Sequence, residues 1–421
     1  MTQELFKELN ERGYTYQLTH DTEIKNLLNG KKQFTFYLGI DPTADSLHIG
    51  HFFALMMFKK LQKAGHKGIL VIGGATALIG DPSGKKEMRK MITKEEVKHN
   101  IAEVEKIARR FISTEGENPA IILNNSDWIN KYSYIDFMRD IGMHFNVAVM
   151  LKADAYKNRI EEGGLTFLEM GYMLMQAYDF AYLNKKYGCV LQIGGSDQWG
   201  NIVAGVNLNR KLNNLDSEIE NNSEIYGITC PLLMTRDGKK MGKTESGTLW
   251  VAREKTTIFD FYQYFFNVHD DSTEMLLKLF TEIDLKTINK LLSEDIVKAK
   301  RVMAYEITKL VHGKEEADKV VETVLSLFEN SQSSENAPTF DISVDLLKKG
   351  ISVIDLFVHC KMVDSKSACR SLLKQGGLKI NNEKIDDENL IVTDKFLNKG
   401  KIILKKGKKN FLQLIPIEQK N

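Results

Sequence analysis

Hydrophobic and polar positions form two kinds of stretch along the first half of the chain. Short apolar runs have the length and composition of buried strands, and longer stretches carry apolar residues at helical spacing. The apolar runs lie at 34–40, 68–74, 120–123 and 189–194, and the helical stretches lie near 50–63, 94–112, 165–184 and 199–212. Because the two kinds alternate, the pattern predicts βαβ units on a parallel sheet, an α/β fold.

The second half of the chain has a different pattern. From 256 to about 330, Leu, Phe, Ile and Val recur at three- and four-residue spacing, which predicts a helical domain. A polar, Pro-containing stretch, SQSSENAPT, follows and has the composition of a linker. The predicted domains are therefore 1–250, 251–330 and 341–421, with a linker at 331–340.

Composition limits the class of protein. A chain of 421 residues is long enough for two or three domains with ample cores. The four cysteines show no CxxC spacing, so neither a zinc site nor a disulfide framework is indicated. The first residues are charged, and no window approaches about 18 uninterrupted apolar residues. We expect no signal peptide, no membrane span and a cytoplasmic location.

The charge is small overall but unevenly distributed. The net charge is +2, yet residues 341–421 carry 16 Lys and Arg against 10 Asp and Glu. This excess indicates a C-terminal module for a polyanion attached to a nearly neutral body. A lysine-rich surface that is merely solvated remains the alternative reading of the charge.

Two motifs suggest nucleotide chemistry. His48-Ile49-Gly50-His51 follows a strand-like run and the turn Asp41-Pro42-Thr43, with Asp45 or Ser46 expected as the helix cap. Imidazoles three residues apart share one helix face, and the first turn of a helix offers free N–H groups to an anion. Far along the chain stands Lys240-Met241-Gly242-Lys243-Thr244, a lysine pair in a glycine-containing loop. Together the two motifs predict a triphosphate site.

The last module carries its basic residues around one predicted turn. Residues 365–377 read as a short helix stopped by glycines, and 378–382 read as a strand. This part resembles the S-four-like RNA-binding domain, over about 351–415. The expected phosphate contacts are Lys366, Arg370, Lys374 and Lys379.

The whole chain resembles the bacterial tyrosyl-tRNA synthetases, which are class I aminoacyl-tRNA synthetases. The resemblance rests on five segments in order: YLGIDPTADSLHIGH (37–51), GDPSGK (80–85), YMLMQAYDF (172–180), QIGGSDQWGN (192–201) and KMGKT (240–244). It implies a Rossmann-like doubly wound parallel sheet, an α-helical domain on the anticodon side and a small α+β RNA-binding domain. It also implies tyrosine activation by ATP with Mg²⁺, transfer to the 3′-terminal adenosine of tRNA(Tyr), and a homodimer.

Adenylate formation needs positioning groups and cations rather than a catalytic base, because the attacking carboxylate of the amino acid is already a nucleophile. No tightly bound, protein-liganded metal is expected. By resemblance, the catalytic residues that hold or neutralise the phosphates are Thr43, His48, His51, Lys85, Arg89, Lys240, Lys243 and Thr244.

The resemblance also assigns the substrate pockets. Tyr37 and Asp179 would bind the phenol hydroxyl of tyrosine, and Tyr172, Gln176 and Asp81 its ammonium group. Tyr172, Gln176 and Asp179 are spaced to share one helix face. The remaining tyrosine-pocket residues are Gln192, Gln198 and Thr76, and the ATP-site residues beyond the two motif histidines and Lys243 are Gly39, Asp41, Gly50, Gly195 and Asp197.

One connecting segment is more apolar than a short connection should be. Between 134 and 167 it carries Phe137, Met138, Ile141, Met143, Phe145, Val147, Val149, Met150 and Leu151. A partner surface is the expectation, and a core role is the alternative.

Two other readings of the whole chain stay open. One is tryptophanyl-tRNA synthetase, and the other is an RNA-binding or splicing protein that is not an enzyme. Pyrophosphate exchange with each aromatic amino acid distinguishes them.

Overall fold

The structure is a computed structural model that describes residues 4–83, 91–215, 224–244, 247–329, 338–381, 383–398, 400–407 and 410–417. Its contacts divide the chain into two compact units. Unit 1 holds residues 1–256 and 268–303, and unit 2 holds residues 257–267 and 304–421. The helical stretch is thus shared between the units, and residues 331–337 of the predicted linker lie outside the described residues. The three-domain boundaries stay a prediction.

The strands form one large sheet in unit 1 and smaller sheets elsewhere. In chain order the described strands are β1 (Gln17–Leu18), β2 (Thr35–Ile40), β3 (Lys67–Ile72), β4 (Ile121–Asn124), β5 (Cys189–Gly195), β6 (Tyr226–Cys230), β7 (Lys243–Thr244), β8 (Gly247–Thr248), β9 (Thr339–Ser343), β10 (Ile351–Ser352), β11 (Leu378–Ile380), β12 (Glu383–Lys384), β13 (Ile391–Val392), β14 (Ile402–Lys406) and β15 (Asn410–Ile417).

Helices connect these strands and make up most of the rest. In chain order they are α1 (Leu5–Arg12), α2 (Asp21–Asn29), α3 (Ile49–Lys63), α4 (Thr76–Ile79), α5 (Lys94–Ala108), α6 (Ser126–Ile129), α7 (Tyr134–Asp140), α8 (Val147–Met150), α9 (Asp154–Glu162), α10 (Phe167–Tyr187), α11 (Trp199–Leu215), α12 (Ile258–Phe266), α13 (Thr273–Phe280), α14 (Leu285–Glu294), α15 (Ile296–His312), α16 (Lys314–Glu329), α17 (Val344–Lys349), α18 (Val353–His359) and α19 (Lys366–Lys374). Short 3₁₀ turns lie at Gly142–His144, Ser196–Gln198, Asp270–Ser272 and Asp394–Phe396.

The large sheet has the strand order β4-β3-β2-β5-β6-β1. Strands β2 to β6 are parallel, and β1 pairs antiparallel to β6 at the edge. The chain runs outward from β2 through β3 to β4 and then returns to β5 on the other side of β2. This reversal makes a topological switch point between β2 and β5, where doubly wound folds bind ligands at the carboxyl ends of the strands. The predicted doubly wound fold is confirmed, and β1 and β6 were missed because their apolar runs are short.

The helical prediction after 256 is confirmed by α12 to α16. The basic turn of the last module is also confirmed, because Ser365 caps α19, and α19 leads through Gly376 and Gly377 into β11. In the same unit, a five-stranded sheet has the order β12-β11-β14-β15-β9. Its inner face and α17 to α19 enclose an apolar core that includes Phe357, Leu378 and Leu414.

Only some of the apolar side chains in the connecting segment 134–167 are exposed. Met143 is 73% exposed and Phe167 68% exposed, and Val147 and Val149 are exposed as well. Ile141 and Met150 are instead buried in core clusters, where α10 covers them. The expectation of an outward apolar face was therefore wrong for Ile141 and Met150 and right for Met143, Val147 and Val149.

No helix in the described part of the chain is both long enough and apolar enough to cross a membrane.

Candidate functional site

A cleft of about 430 Å³ opens at the carboxyl ends of β2 and β5. It brings together residues that lie far apart in the chain, because the switch point places the turns after both strands side by side. The sequence-predicted residues that line it are Tyr37, Gly39, Asp41, Thr43, His48, Gly50, His51, Thr76, Asp81, Tyr172, Gln176, Asp179, Gln192, Gly195, Asp197, Gln198 and Lys240.

The deepest wall of the cleft holds a phenol and a carboxylate. Tyr37 on β2 is 1% exposed, and its hydroxyl has no hydrogen-bond partner among the described residues. Asp179 on α10 is 4% exposed. Burial raises the pKa of Asp179 to about 7. Burial, and then the charge of Asp179, raise the pKa of Tyr37 well above its usual value. An unpaired buried hydroxyl costs free energy, which a ligand with a matching polar group recovers.

Two residues that the sequence analysis missed hold Asp179 in place. Asn125 Nδ2 donates to Asp179 Oδ2 at 3.1 Å, and Trp128 Nε1 donates to Asp179 Oδ1 at 2.7 Å. Both hydrogen bonds lower the pKa of Asp179 and so oppose the effect of burial. Asn125 and Trp128 lie in and beside the one-turn helix α6, which carries no motif that would have indicated them.

A second network surrounds Asp41 at the end of β2. Thr76 Oγ1 donates to Asp41 Oδ1 at 2.7 Å, and the Tyr172 hydroxyl donates to Asp41 Oδ2 at 2.8 Å. Asn125 Nδ2 also donates to Thr76 Oγ1 at 3.0 Å and thereby joins this network to Asp179. A side chain at Gly73 would bring its Cβ within 2.0 Å of Asp41 Oδ1, so this position has no room for one.

Amide groups line the side of the cleft between the two networks. Gln198 Nε2 donates to Asp81 Oδ2 at 2.7 Å, and Asn201 Nδ2 donates to Gln198 Oε1 at 3.1 Å. The Oε1 atoms of Gln176 and Gln192 are buried and have no hydrogen-bond partner among the described residues. Tyr172, Gln176 and Asp179 all lie on α10 and all line the cleft, which confirms their predicted common face.

The HIGH motif begins α3 in a way that the sequence analysis did not predict. Instead of Asp45 or Ser46, His48 itself caps the helix, and its Nδ1 accepts from the N–H groups of Gly50 at 3.1 Å and His51 at 3.3 Å. The ring centroids of His48 and His51 are 3.8 Å apart, with the planes at 12°. The two imidazoles are therefore stacked face to face at the mouth of the cleft.

The loop that contains Lys240, Met241 and Gly242 also lines the cleft. Lys240 Nζ lies 3.5 Å from Asp197 Oδ2, and Asp197 is also a lining residue. Burial raises the pKa of Asp197, while the charge of Lys240 lowers it. The backbone of Lys243 and Thr244 forms β7, which pairs with β8. Two further predicted cations, Lys85 and Arg89, lie outside the described residues.

The four predicted RNA contacts lie on α19 and β11, in unit 2, with Lys366 at the start of the helix and Lys374 at its end. Lys366 Nζ is 2.6 Å from Asp355 Oδ1, and Arg370 Nε is 3.9 Å from Glu388 Oε2. Among the described residues, no ion pair involves Lys374 or Lys379.

Two lysines that the sequence did not indicate lie beside the predicted Lys379 on the sheet of the same module. Lys379 on β11 stands opposite Lys384 on β12 and Lys405 on β14. Directly opposed side chains point to one face, and like charges there repel each other. A polyanion that neutralises all three would relieve the repulsion.

Known protein families match both parts of the chain. The model described as tRNA synthetases class I (W and Y) matches residues 29–329, and that of the tyrosine–tRNA ligase SYY-like C-terminal domain matches residues 329–414.

Curated relatives match nearly the full length. The tyrosine–tRNA ligase of Acetivibrio thermocellus is 46% identical over 410 residues, which cover 97% of this chain and 98% of the relative. That of Clostridium tetani is 46% identical over 418 residues, covering 99% and 100%.

Solved structures show the same fold. A C-terminally truncated mitochondrial tyrosyl-tRNA synthetase from Aspergillus nidulans has a TM-score of 0.69 and 31% identity, covering 77% of this chain and 94% of that chain. A tryptophanyl-tRNA synthetase from Encephalitozoon cuniculi is 13% identical, with a TM-score of 0.53 over 74% of this chain and 87% of that one, and it supports the fold alone. With nearly full-length relatives at such identity, and a phenol, a carboxylate and paired imidazoles around one cleft, the chain belongs to the tyrosine–tRNA ligases, which are class I aminoacyl-tRNA synthetases.

Proposed function

We propose that this enzyme activates L-tyrosine with ATP and then transfers it to the 3′-terminal adenosine of tRNA(Tyr), with the cleft residues in the roles given below. The observation that carries this assignment is the unpartnered Tyr37 hydroxyl beside the buried Asp179 carboxylate. A tyrosine ring between them would place its own hydroxyl where it donates to Asp179 and accepts from Tyr37. Phenylalanine would leave both buried groups unpaired, at a cost of roughly 1–3 kcal/mol for each.

The amino group of tyrosine would lie nearer the mouth of the cleft. Asp81 supplies a carboxylate there, and Gln176 offers an oxygen without a partner, so both can accept from an ammonium group. Tyr172 already donates its hydroxyl proton to Asp41, which leaves its lone pairs to accept from the ammonium as well. The substrate carboxylate would then point outward, toward His48 and Lys240.

Activation would proceed by attack of the tyrosine carboxylate on the α-phosphorus of ATP, with pyrophosphate leaving. The stacked rings of His48 and His51 would contact the nucleotide, and the positive end of the α3 dipole would attract its phosphates. Lys240 lines the same cleft and would neutralise charge on the leaving group. Thr43, Lys243 and Thr244 are proposed to assist, as are Lys85 and Arg89, which lie outside the described residues.

Magnesium is proposed to enter with ATP and to be held mainly by phosphate oxygens and water, as is usual for Mg²⁺. The described residues contain no group of three or more His, Cys, Asp or Glu side chains placed to hold a metal ion. Magnesium bound with ATP would neutralise part of the charge of the phosphates.

The acceptor end of the tRNA needs a path to the adenylate. A second groove, of about 730 Å³, shares Asp197 and Leu232 with the catalytic cleft. Its lining includes the cationic residues Lys152, Arg210 and Lys211. We propose that the single-stranded 3′ end of the tRNA lies in this groove, where these cationic side chains bind its phosphates along the path to the cleft.

A homodimer is proposed from the exposed apolar side chains on and beside α7 to α10, including Met143, Val147 and Phe167. A symmetric pair would bury this face against a second copy, as in the commonest closed oligomers. We expect sedimentation equilibrium at micromolar protein to give twice the mass of the chain. Replacing both Met143 and Phe167 with serine should shift the equilibrium toward the monomer. A wild-type monomer at that concentration would contradict the proposal.

The proposed reaction is tested by tyrosine-dependent exchange of labelled pyrophosphate into ATP. Tyrosine should support exchange, and tryptophan should not, because the indole ring lacks the hydroxyl that Tyr37 and Asp179 would bind. Phenylalanine should be weaker by a factor on the order of 100 or more, from the two unpaired groups. Equal rates with all three amino acids would exclude the proposed specificity, and no exchange with any of them would favour an RNA-binding protein that is not an enzyme.

Tyrosine binding should depend on pH through Asp179, whose pKa is about 7 in the free protein. The ionised carboxylate is the acceptor for the phenol, and lowering the pH through this value protonates it. The dissociation constant for tyrosine should therefore be flat at high pH and rise by about tenfold for each unit of pH below that value. Equilibrium dialysis between acidic and alkaline pH measures it.

Two controls test whether Asp179 is responsible. Phenylalanine, which has no hydroxyl, should bind with little change over the same range. Trp128→Phe removes a hydrogen bond that lowers the pKa of Asp179, so the tyrosine profile should move to higher pH. A profile for tyrosine that stays level across the range would contradict the role of Asp179.

The reactants proposed here are those of cytoplasmic translation, which supports the cytoplasm as the place of action.

A further inference from the structure

A third groove lies at the amino ends of the parallel strands of unit 1, on the other side of the sheet from the catalytic cleft, which lies at their carboxyl ends. Its volume is about 1220 Å³, against about 430 Å³ for the catalytic cleft. Its lining includes Thr35 at the start of β2, Lys67 at the start of β3 and Gly188 immediately before β5. The amino ends of the three central strands therefore form its base. The proposed reaction uses no residue of this groove.

The charged residues of the groove are mostly cationic. Lys32, Lys67, Lys185 and Lys186 line it, and Asp140 is the carboxylate among the lining residues. The four lysines precede or begin β2, β3 and β5, so the parallel topology gathers them at one edge. A concave site with an excess of positive charge attracts phosphate groups.

One wall of the groove is aromatic. Tyr132, Tyr178 and Tyr182 line it, and Tyr178 meets Tyr132 edge to face, with ring centroids 5.3 Å apart. Lys186 Nζ donates to the Tyr182 hydroxyl at 3.0 Å and lies 5.5 Å from the centre of that ring. Half-buried rings next to ammonium groups provide a stacking surface for a base beside a binding site for its phosphates.

The aromatic wall is joined directly to the tyrosine pocket. Tyr182 stacks on Trp128, with ring centroids 4.6 Å apart and planes at 15°. Trp128 in turn donates to Asp179 at 2.7 Å. Tyr178 and Tyr182 also flank Asp179 along α10, so one helix carries the wall of the groove and the carboxylate of the pocket. A shift of the Tyr182 ring would therefore be transmitted to Asp179 through a single intervening side chain.

We propose that this groove is a second nucleotide-binding site, in which the lysines hold the phosphates and the tyrosines stack on the base, and that its occupancy changes the affinity of the tyrosine pocket. A nucleotide fits both observations, because inorganic phosphate would use the lysines alone and an uncharged aromatic compound would use the tyrosines alone. Coupling between two sites is reciprocal, so tyrosine must change the affinity for the nucleotide by the same factor.

The test uses the full-length protein with its catalytic cleft filled by tyrosyl adenylate, freed of excess ATP and pyrophosphate. Labelled GDP is the probe, with inorganic phosphate as the probe for cations alone. We expect GDP to bind saturably, one molecule per chain. Lys32→Gln combined with Lys185→Gln should weaken its binding by at least about tenfold, and Tyr182→Leu should weaken GDP binding but not phosphate binding.

A matched control is Lys290→Gln combined with Lys298→Gln, which removes two exposed lysines of α14 and α15 that are absent from the lining of the groove. This variant should bind GDP like the wild type. Circular dichroism and thermal unfolding verify that each variant is folded. Absence of saturable GDP binding, or equal affinity in the groove variants and the control, would overturn the site.

The coupling is measured separately, as the dissociation constant of tyrosine with and without saturating GDP in protein that carries no adenylate. GDP could also act at the empty catalytic cleft. The measurement is therefore repeated with the Lys32→Gln and Lys185→Gln double variant, in which only an effect of GDP at the catalytic cleft would remain. We expect GDP to shift tyrosine affinity in the wild type, and the shift to disappear in the double variant and in Trp128→Phe. A shift that survives in both variants, or no shift in the wild type, would overturn the coupling.

Discussion

Lys240→Ala should lower kcat for pyrophosphate exchange by a factor on the order of 100 to 1000 while leaving the dissociation constant of tyrosine nearly unchanged. Lys240 lies at the mouth of the cleft, 3.5 Å from Asp197, whereas the phenol pocket lies at its base. A cation that binds the leaving pyrophosphate mainly in the transition state contributes to the rate rather than to tyrosine binding. Lys243→Ala is expected to behave in the same way.

The neighbouring Lys239 provides the matched control. Its side chain is exposed and is absent from the lining of the cleft, while its backbone closes the same turn through hydrogen bonds with Thr235. Lys239→Ala should therefore exchange pyrophosphate at nearly the wild-type rate. If tyrosine affinity falls as far as kcat in the Lys240 variant, the lysine shapes the pocket, and its proposed role toward pyrophosphate is wrong.

The fold was predictable from sequence where periodicity is strong. Strands β2, β3 and β5 are continuous apolar runs because both faces of a central parallel strand are buried, and such runs are visible in the sequence. The two-residue strand β1 carries too few positions for any pattern. The doubly wound parallel sheet was predicted from the resemblance and from the βαβ pattern, but no local pattern indicates that β1 joins the edge beside β6.

The site was predictable in its motif residues and not in what supports them. His48 and Asp179 stand in recognisable segments, and both line the cleft. Asn125 and Trp128 position Asp179 from a one-turn helix more than fifty residues away in sequence, a relation created only by tertiary packing. The cap of α3 was mispredicted for a related reason. Asp and Ser are common caps, and the imidazole of His48 took that role here because its Nδ1 faces the free N–H groups.

Buried polar atoms without partners gave information that the sequence could not contain. The Tyr37 hydroxyl and the Oε1 atoms of Gln176 and Gln192 are all buried, unsatisfied among the described residues and located on the walls of one cleft. Folded proteins satisfy most buried polar groups, so a cluster of exceptions indicates where a polar ligand belongs. This observation supports the proposed tyrosine pocket at the base of the cleft independently of the motifs.

Removing the C-terminal module should separate the two steps of the reaction. A chain ending at about residue 335 keeps every residue of the catalytic cleft and loses the basic excess of residues 341–421. Tyrosine-dependent pyrophosphate exchange should stay within about twofold of the wild type, because the phenol and phosphate groups are retained. Charging of tRNA(Tyr) should fall below detection, because most of the cations available for the RNA backbone are gone.

Substitutions in the full-length chain test the same division without a truncation. Lys374→Ala combined with Lys379→Ala removes two cations that form no ion pair among the described residues, whereas Lys366 and Arg370 are partly neutralised by Asp355 and Glu388. The double variant should bind tRNA more weakly, and the slope of log K against log salt should flatten by about one for each lost phosphate contact. Lys348→Ala combined with Lys349→Ala, on α17 of the same module, is the matched control and should change the slope less. If the truncated enzyme charges tRNA(Tyr) at the full rate, or if exchange falls together with charging, the module has a structural role and the steps are not divided between the two parts of the chain.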